Sequence, residues 1–333
     1  MSAGTLTVVE AGSAQITDLG RRRGPRFGVP ANGALDQGAA RIANILAGNP
    51  DDAPLIEITA FDAEFVPDVD ILVAASGAEG VLRVGGVIRP WNEPVSVRAG
   101  EPVSVRALRG GLRAYLAVRG SFDVPLLLGS CAPDSVLGFG ERLAAGGAVT
   151  LRAATPPVVN PAFGTALFRL DVPARAAKGV VEVADGPDAA DFAGTADRLF
   201  AAPYTVSPTS NHIGLRLTGA PLPERCATGE VLSRGVPVGA VEVPPGDELL
   251  VLHRGRGVTA GYPVLAVVTS ASLDALAQVR PGERVRFRRV SDADAAARAR
   301  RDRAARDALR LRVRSVFAAL DVPPPTSTGR TPE

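Results

Sequence analysis

The sequence predicts a mainly β protein with a few helices, built as two β-rich lobes, and three observations carry that prediction. Apolar and polar residues alternate over short runs closed by Gly, Pro or Asp, the mark of half-buried strands. Only three stretches show a helical period instead. A Pro-rich break at Ala153-Ala154-Thr155-Pro156-Pro157 separates two strand-rich halves. The expected divisions are residues 1–155, 156–290, a helix over 291–322, and a Pro-rich, polar tail over 323–333 that lacks the apolar content to order itself.

Taken in chain order, residues 70–75 and 81–84 read as early strands. Residues 101–108 and 112–118 flank Arg109-Gly110-Gly111, where glycine tolerates positive φ, so a β-hairpin is predicted. Asp36 is placed to cap the first helix, with Ala39, Ile42, Ile45 and Leu46 on one face before Gly48 ends it. Ser272 is expected to cap a second helix that runs through Gln278 and stops at Pro281-Gly282. The third helix, about residues 292–320, is rich in Ala and Arg with a narrow stripe of Leu309, Val313, Val316 and Phe317. It reads as a peripheral helix docked on the body, with partner binding as the alternative.

Composition excludes several classes. At 333 residues, 46% hydrophobic and 22% charged, the chain is that of a globular protein with a sizeable core. A formal charge of +2 gives no mandate for nucleic acid, and no apolar run reaches the roughly 18 residues a membrane helix needs. The first residues lack a basic stretch followed by an apolar core, so a cytoplasmic location is expected. Lys178 is the only lysine and sits outside any Gly-x-x-x-x-Gly-Lys-Ser/Thr loop. Cys131, Cys226, His212 and His253 show no paired ligand spacing, so no metal site is expected.

The polar residues between 18 and 57 stand out. Asp18-Leu19-Gly20-Arg21, Gly33-Ala34-Leu35-Asp36, Asn44 through Asn49, and Leu55-Ile56-Glu57 crowd acids, an arginine and two asparagines into one stretch. Singly, each has a structural reading: a turn cap, an ion pair, a helix cap, a partner for buried backbone. Jointly they form a set able to bind an anion and polarise an amide carbonyl. Glu57 on a strand is costly to bury alone, so it should meet an arginine such as Arg21 or face a cleft. Gly129-Ser130 and Gly138-Phe139-Gly140-Glu141-Arg142 suggest a loop whose amides, with Arg142, cradle a phosphate or carboxylate. Gly255-Arg256-Gly257-Val258-Thr259-Ala260 fits a dinucleotide fingerprint only formally, because Gly261-Tyr262-Pro263 stops the helix it would open.

Those N-terminal segments, with Gly77-Ala78, Gly129-Ser130, Gly138 through Leu143, Gly239-Ala240-Val241-Glu242-Val243-Pro244-Pro245 and Thr259-Ala260-Gly261-Tyr262-Pro263, resemble the family of 5-oxoprolinase C-type subunits, also called the biotin-dependent carboxyltransferase or urea amidolyase-related family. The resemblance spans about residues 5–290. It implies a cyclophilin-like β-barrel in the second lobe and an ATP-dependent hydrolysis of 5-oxoproline to L-glutamate, performed with two partner subunits, one of the B type and one lactam-hydrolysing, of the A type. It also implies ATP and Mg2+, bound with the B-type partner. Asp18, Arg21, Asp36 and Glu57 are then the expected catalytic residues. Asn44, Asn49, Ser130, Arg142, Arg216, Glu242 and Tyr262 are the expected substrate- or phosphate-binding residues. One alternative is carboxyl transfer from carboxybiotin to urea or a related amide, with biotin on another polypeptide. Another is a non-catalytic binding subunit, since Gly255, Gly257, Val258 and Ala260 replace the family's polar Asp, Gln and Thr and its first glycine.

Overall fold

The computed structural model describes residues 4–140, 142–152, 170, 172–173, 179–219 and 221–322. The chain divides into two units. Unit 1 comprises Met1–Gly20, Gln37–Pro173 and Ala304–Glu333, and unit 2 comprises Arg21–Asp36 and Ala174–Arg303. The expected break at residues 153–157 and the tail at 323–333 lie outside the described residues. The units are interleaved, which a cut at residue 155 does not allow. Residues 21–36 belong to unit 2 because Asn32 N donates to the Arg254 carbonyl at 3.0 Å and Gln278 Nε2 donates to Asp36 Oδ2 at 2.6 Å.

Unit 1 opens with β1 (Thr5–Glu10), β2 (Ala14–Thr17), α1 (Gln37–Ala47) and β3 (Leu55–Thr59). It continues with β4 (Ala63–Pro67), β5 (Ile71–Val84), β6 (Val87–Arg89), β7 (Pro94–Val97), β8 (Val103–Val118) and β9 (Ala148–Thr150). These strands form one sheet in the order β2-β3-β8-β4-β1-β9, and β5 adds along β8 with β6 and β7 beside it. Every pairing is antiparallel. Alternation puts Ile56 and Ile58 into a core shared with Leu6, Val8, Phe65 and Val105, and Leu55 and Glu57 onto the opposite face. The helix α1 packs against β5 and β8.

The hairpin predicted at Arg109-Gly110-Gly111 does not form. The two flanking runs are one sixteen-residue strand, β8, and β5 pairs with both of its halves. Ala107 (φ 52°) and Gly110 (φ 64°) absorb the extra residues as a bulge, where the partner of Gly77 is Ala114 but that of Glu79 is Arg109. Glycine relieves a strand irregularity here and does not reverse the chain.

Unit 2 contains β10 (Val180–Asp185), α2 (Arg198–Ala201), β11 (Tyr204–Val206), β12 (Gly214–Thr218), β13 (Arg234–Gly235) and β14 (Ala240–Glu242). Then come β15 (Leu249–Leu252), β16 (Thr259–Ala260), β17 (Val264–Val268), α3 (Ser270–Leu276) and β18 (Arg284–Arg289). Seven of these strands close a barrel in the order β10-β17-β14-β15-β12-β11-β18, and β13 and β16 form a separate ribbon. The second lobe is therefore the expected β-barrel. Its core includes Val181, Val183, Leu217, Val251 and Phe287, with Tyr204 meeting Phe287 edge-on at 5.8 Å.

Ser272 does not cap α3. It lies inside the helix, which starts at Ser270 after Thr269, and its Oγ instead accepts from Glu182 N at 3.0 Å, joining the helix to β10. The last helix, α4 (Asp292–Ala319), buries Leu309, Val313 and Phe317, three of the four stripe residues, while Val316 is half-buried. Its C-terminal part belongs to unit 1, where Arg310 Nη2 meets Asp51 Oδ1 at 2.5 Å. Among the described residues no helix is long and apolar enough to cross a membrane.

Candidate functional site

In unit 1 the carboxylate of Asp18 draws together segments more than a hundred residues apart. Ser130 Oγ donates to its Oδ1 at 2.5 Å, Gly20 N to the same oxygen at 2.8 Å, and Cys131 N to Oδ2 at 2.9 Å. Ser130 Oγ in turn accepts from Ala132 N at 3.1 Å. Gly20 can turn back onto the acid because its φ is +87°, a region glycine enters without steric cost. Asp18 and Ser130 thus meet, as members of one site should, but they meet as a clamp that fixes the 129–132 loop.

Glu57 is held in a cross-strand row. Its neighbours in register are Gln15 on β2 and Tyr115 on β8. Gln15 Nε2 donates to Oε1 at 3.1 Å and Tyr115 OH to Oε2 at 2.7 Å. An amide and a phenol take the place of the arginine expected from sequence, and together they meet the hydrogen-bonding demand of a buried acid.

Asn44 and Asn49 form a staple at the end of α1. Asn44 Nδ2 donates to the carbonyls of Ala53 at 2.9 Å and Asp51 at 3.2 Å. Asn49 Nδ2 donates to the Val118 carbonyl at 2.8 Å and to Asn44 Oδ1 at 3.2 Å, while its Oδ1 accepts from Gly120 N at 2.9 Å. These amides satisfy backbone groups where α1, the following turn and the end of β8 converge.

The loop expected to cradle an anion is closed on itself. Asp134 Oδ1 accepts from Val136 N and Leu137 N, each at 3.0 Å, and the backbones of Asp134 and Phe139 exchange two further bonds. Four of the loop's amides are therefore engaged internally. Arg142 is exposed and bridges to Gln15 through its backbone, and Glu141 lies outside the described residues.

Unit 2 holds the other expected residues. Arg21 is fully buried, and its backbone N donates to the Ala31 carbonyl at 2.7 Å. Asp36 stands just before the first residue of α1 and accepts from Gln278. Arg216 pairs with Glu248 on the barrel surface. Tyr262, 43% exposed, lines an open cleft of about 1170 Å³ whose walls include Val243, Pro244, Pro263 and the charged Arg198, Glu224 and Arg225.

Glu242 differs from all of these. It ends β14, directly before the cleft-lining Val243, and pairs in register with Leu250 and Val264. It is 1% exposed, and its Oε1 has no hydrogen-bond partner among the described residues. Desolvation pushes its pKa from 4.5 up to about 7. At neutral pH such a group can both give and take a proton.

Gln15, Tyr115 and Gln278 were missed from sequence, as were Arg198, Glu224 and Arg225. The first two are found only once strand register sets them opposite Glu57. No local motif marks the rest.

An antiparallel sheet unit and a closed barrel, with the polar residues just described, define a carboxyltransferase-type fold, and the comparisons with known proteins place the chain accordingly. The family model for the carboxyltransferase domain, subdomain A and B, matches residues 27–289, and the chain belongs to that family. It is 32% identical over 311 residues to the C-type subunit of the 5-oxoprolinase of Escherichia coli (strain K12), covering 89% of this chain and 94% of that protein. It is also 28% identical to the urea amidolyase of Saccharomyces cerevisiae over 79% of this chain, but spans only 15% of that longer protein. The crystal structure of the Kluyveromyces lactis urea carboxylase superposes with a TM-score of 0.80 at 24% identity, over 92% of this chain and 29% of that one, a likeness of fold.

Proposed function

We propose that this chain is the C-type subunit of a 5-oxoprolinase complex, working with a B-type partner and a lactam-hydrolysing A-type partner in the ATP-dependent hydrolysis of 5-oxoproline to L-glutamate. The observation that carries this reading is the 32% identity to the Escherichia coli protein across nearly the whole of both chains. Opening a lactam requires that charge developing on a poor carbonyl electrophile be stabilised and that the departing ring nitrogen receive a proton.

The groups with capacity left for substrate are Tyr262 at the cleft, Arg142 at the surface and Glu242, whose pKa of about 7 suits it to hold the proton. Asp18, Asp36 and Glu57 act as positioning residues through Ser130, Gln278 and Tyr115. Arg21 supplies a buried cation and Asn44 and Asn49 support the scaffold. Among the described residues no group of three or more His, Cys, Asp or Glu is placed to hold a metal. ATP and Mg2+ are proposed to bind with the B-type partner on the strength of the family resemblance alone.

The test is glutamate release from 5-oxoproline and ATP by this chain with its partner subunits, omitting each in turn. Release should vanish without this chain and fall with Tyr262→Phe; release that survives its omission refutes the reading. The match to urea amidolyase favours a second reading, carboxyl transfer from carboxybiotin to urea or a related amide. Urea carboxylation in the presence of a biotin carboxylase and its carrier, with no glutamate release, would select it.

A further inference from the structure

Outside the residues assigned above, unit 1 holds a second polar set at the turn that joins β6 to β7. On one side β5 pairs with β7 as far as Ala74, opposite Pro94, and with β6 from Leu82, opposite Arg89. Residues 75–81 of β5 therefore face only the turn of residues 90–93 there. Asn92 pins that turn, its N donating to the Ala75 carbonyl at 3.0 Å with φ at +61°, a left-handed conformation that asparagine adopts more readily than most residues. Trp91 covers the strand further along: a Cβ on Gly80 would lie 3.6 Å from its Cη2, and the ring packs against the core of unit 1.

Three polar atoms at this turn are shut off from water without a hydrogen-bond partner among the described residues: Arg89 Nε, Trp91 Nε1 and Asn92 Oδ1. The first two are donors and the third is an acceptor. An indole N–H that is buried ordinarily finds an acceptor, and each group left unpaired is a cost to the fold. The side chains that carry them are only half-buried, and β6 and β7 each pair with β5 alone, so the turn lies at an edge of the sheet rather than inside the core. Side-chain rotation of the kind common on binding is enough to reach them.

None of the three atoms is needed to make the turn. The Asn92 backbone N–H already ties it to β5, and Trp91 holds its place through carbon contacts. Two donors and one acceptor on neighbouring residues are therefore left over from folding, and polar groups left over in this way call for an occupant.

We propose that this turn binds a small amide that retains its N–H, such as a lactam, with the amide carbonyl accepting from Trp91 Nε1, the amide N–H donating to Asn92 Oδ1, and Arg89 Nε donating to the carbonyl or to a carboxylate on the same molecule. An amide carries a donor and an acceptor side by side, as the adjacent residues 91 and 92 require. A carboxylate or phosphate alone would set an acceptor against Asn92 Oδ1, and a hydrocarbon would leave all three atoms unpaired. The assignment does not rest on the reaction proposed above, because its residues are not among those assigned there and its readout is binding alone. Glutamate release is a separate readout, so the failure of one is distinguishable from the failure of the other.

Trp91 is the only tryptophan of the chain, so its emission reports on the site directly. The experiment is fluorescence titration of the full chain with 2-pyrrolidone, acetamide and 5-oxoproline, with N-methyl-2-pyrrolidone, which lacks the N–H, and acetate as controls. At least one of the three amides should change the emission saturably, and both controls should bind at least about tenfold more weakly, since either leaves Asn92 Oδ1 unpaired. Tighter binding of 5-oxoproline than of 2-pyrrolidone sets Arg89 on a carboxylate; binding no tighter sets it on the carbonyl. Asn92→Gly keeps the positive φ but removes the acceptor and should weaken the amides by about tenfold, whereas Asn92→Asp keeps an acceptor and should bind at least as well as the parent. The proposal is overturned if none of the three amides alters the Trp91 emission, if the N-methyl lactam binds as well as 2-pyrrolidone, or if Asn92→Gly binds like the parent chain.

Discussion

Asp18 in unit 1 and Glu242 in unit 2 are closed off from solvent to nearly the same degree, 3% and 1% exposed, yet their surroundings differ in kind. Three donors converge on Asp18, one hydroxyl and two backbone amides. Glu242 stands among Leu250 and Val264 with one oxygen unpartnered, and the low polarity of that setting favours its protonated form. A buried acid in a sequence therefore has two physical fates. Surrounded by donors it is a scaffold tie; starved of them it becomes a proton reservoir near neutral pH.

The largest effect that tests this contrast is expected at the clamp. Asp18→Ala leaves the Ser130 hydroxyl and two amides without their acceptor and should lower stability by on the order of 4 kcal/mol in urea denaturation. A loss under about 1 kcal/mol would mean that water replaces the carboxylate and that the clamp is no tie at all.

Next comes Glu242, read through pH. Its folded pKa of about 7 lies above the ordinary 4.5, so the folded chain holds a proton that the unfolded chain releases between those values. Stability is fully present below the lower value and is lost as pH rises through the higher, by roughly 3 kcal/mol. Glu242→Gln should flatten that slope in denaturation midpoints taken from pH 4 to 8. An unchanged slope would remove Glu242 from the set of proton carriers.

Asn49→Ala is predicted to cost about 2 kcal/mol, since it strips partners from Val118, Gly120 and Asn44. Were Asn49 a substrate ligand instead, thermal unfolding would be unmoved and only substrate binding would weaken. The smallest effect belongs to Tyr115→Phe, which removes one 2.7 Å bond from Glu57 while Gln15 keeps the other oxygen. About 1 kcal/mol is expected, read as a shift in denaturation midpoint, and a protein stabilised by the change would show Glu57 to be satisfied without the phenol.

The sequence is legible wherever the outcome is decided locally. Gly48, with φ +73°, ends α1 as expected, and Leu309, Val313 and Phe317 bury as their spacing foretells. Alternation identifies the strands but not their partners. Residues 101–118 carry the same alternation whether they fold back at Gly110 or run straight beside β5, and only the length of β5 decides between these. The site shows the same division. Asp18 and Ser130 stand out separately, and the bond between them exists because the chain returns more than a hundred residues later. Ser272 misleads because a hydroxyl beside a helix start is equally suited to a strand amide, and Glu182 N supplies one.

The closure of the barrel has a consequence for synthesis. Its first strand, β10, pairs in parallel with its last, β18, so that Val181 finds Phe287 across the seam and β11 also waits for β18. A ribosome that pauses before Arg284 holds a nascent sheet with two open edges, β10 and β11, each offering unpaired amides and carbonyls to any neighbouring chain. The helix residues that complete unit 1, from Ala304 onward, are translated later still. Unit 1, though most of its strands are made first, therefore waits for α4 until after the barrel of unit 2 has received its last strand.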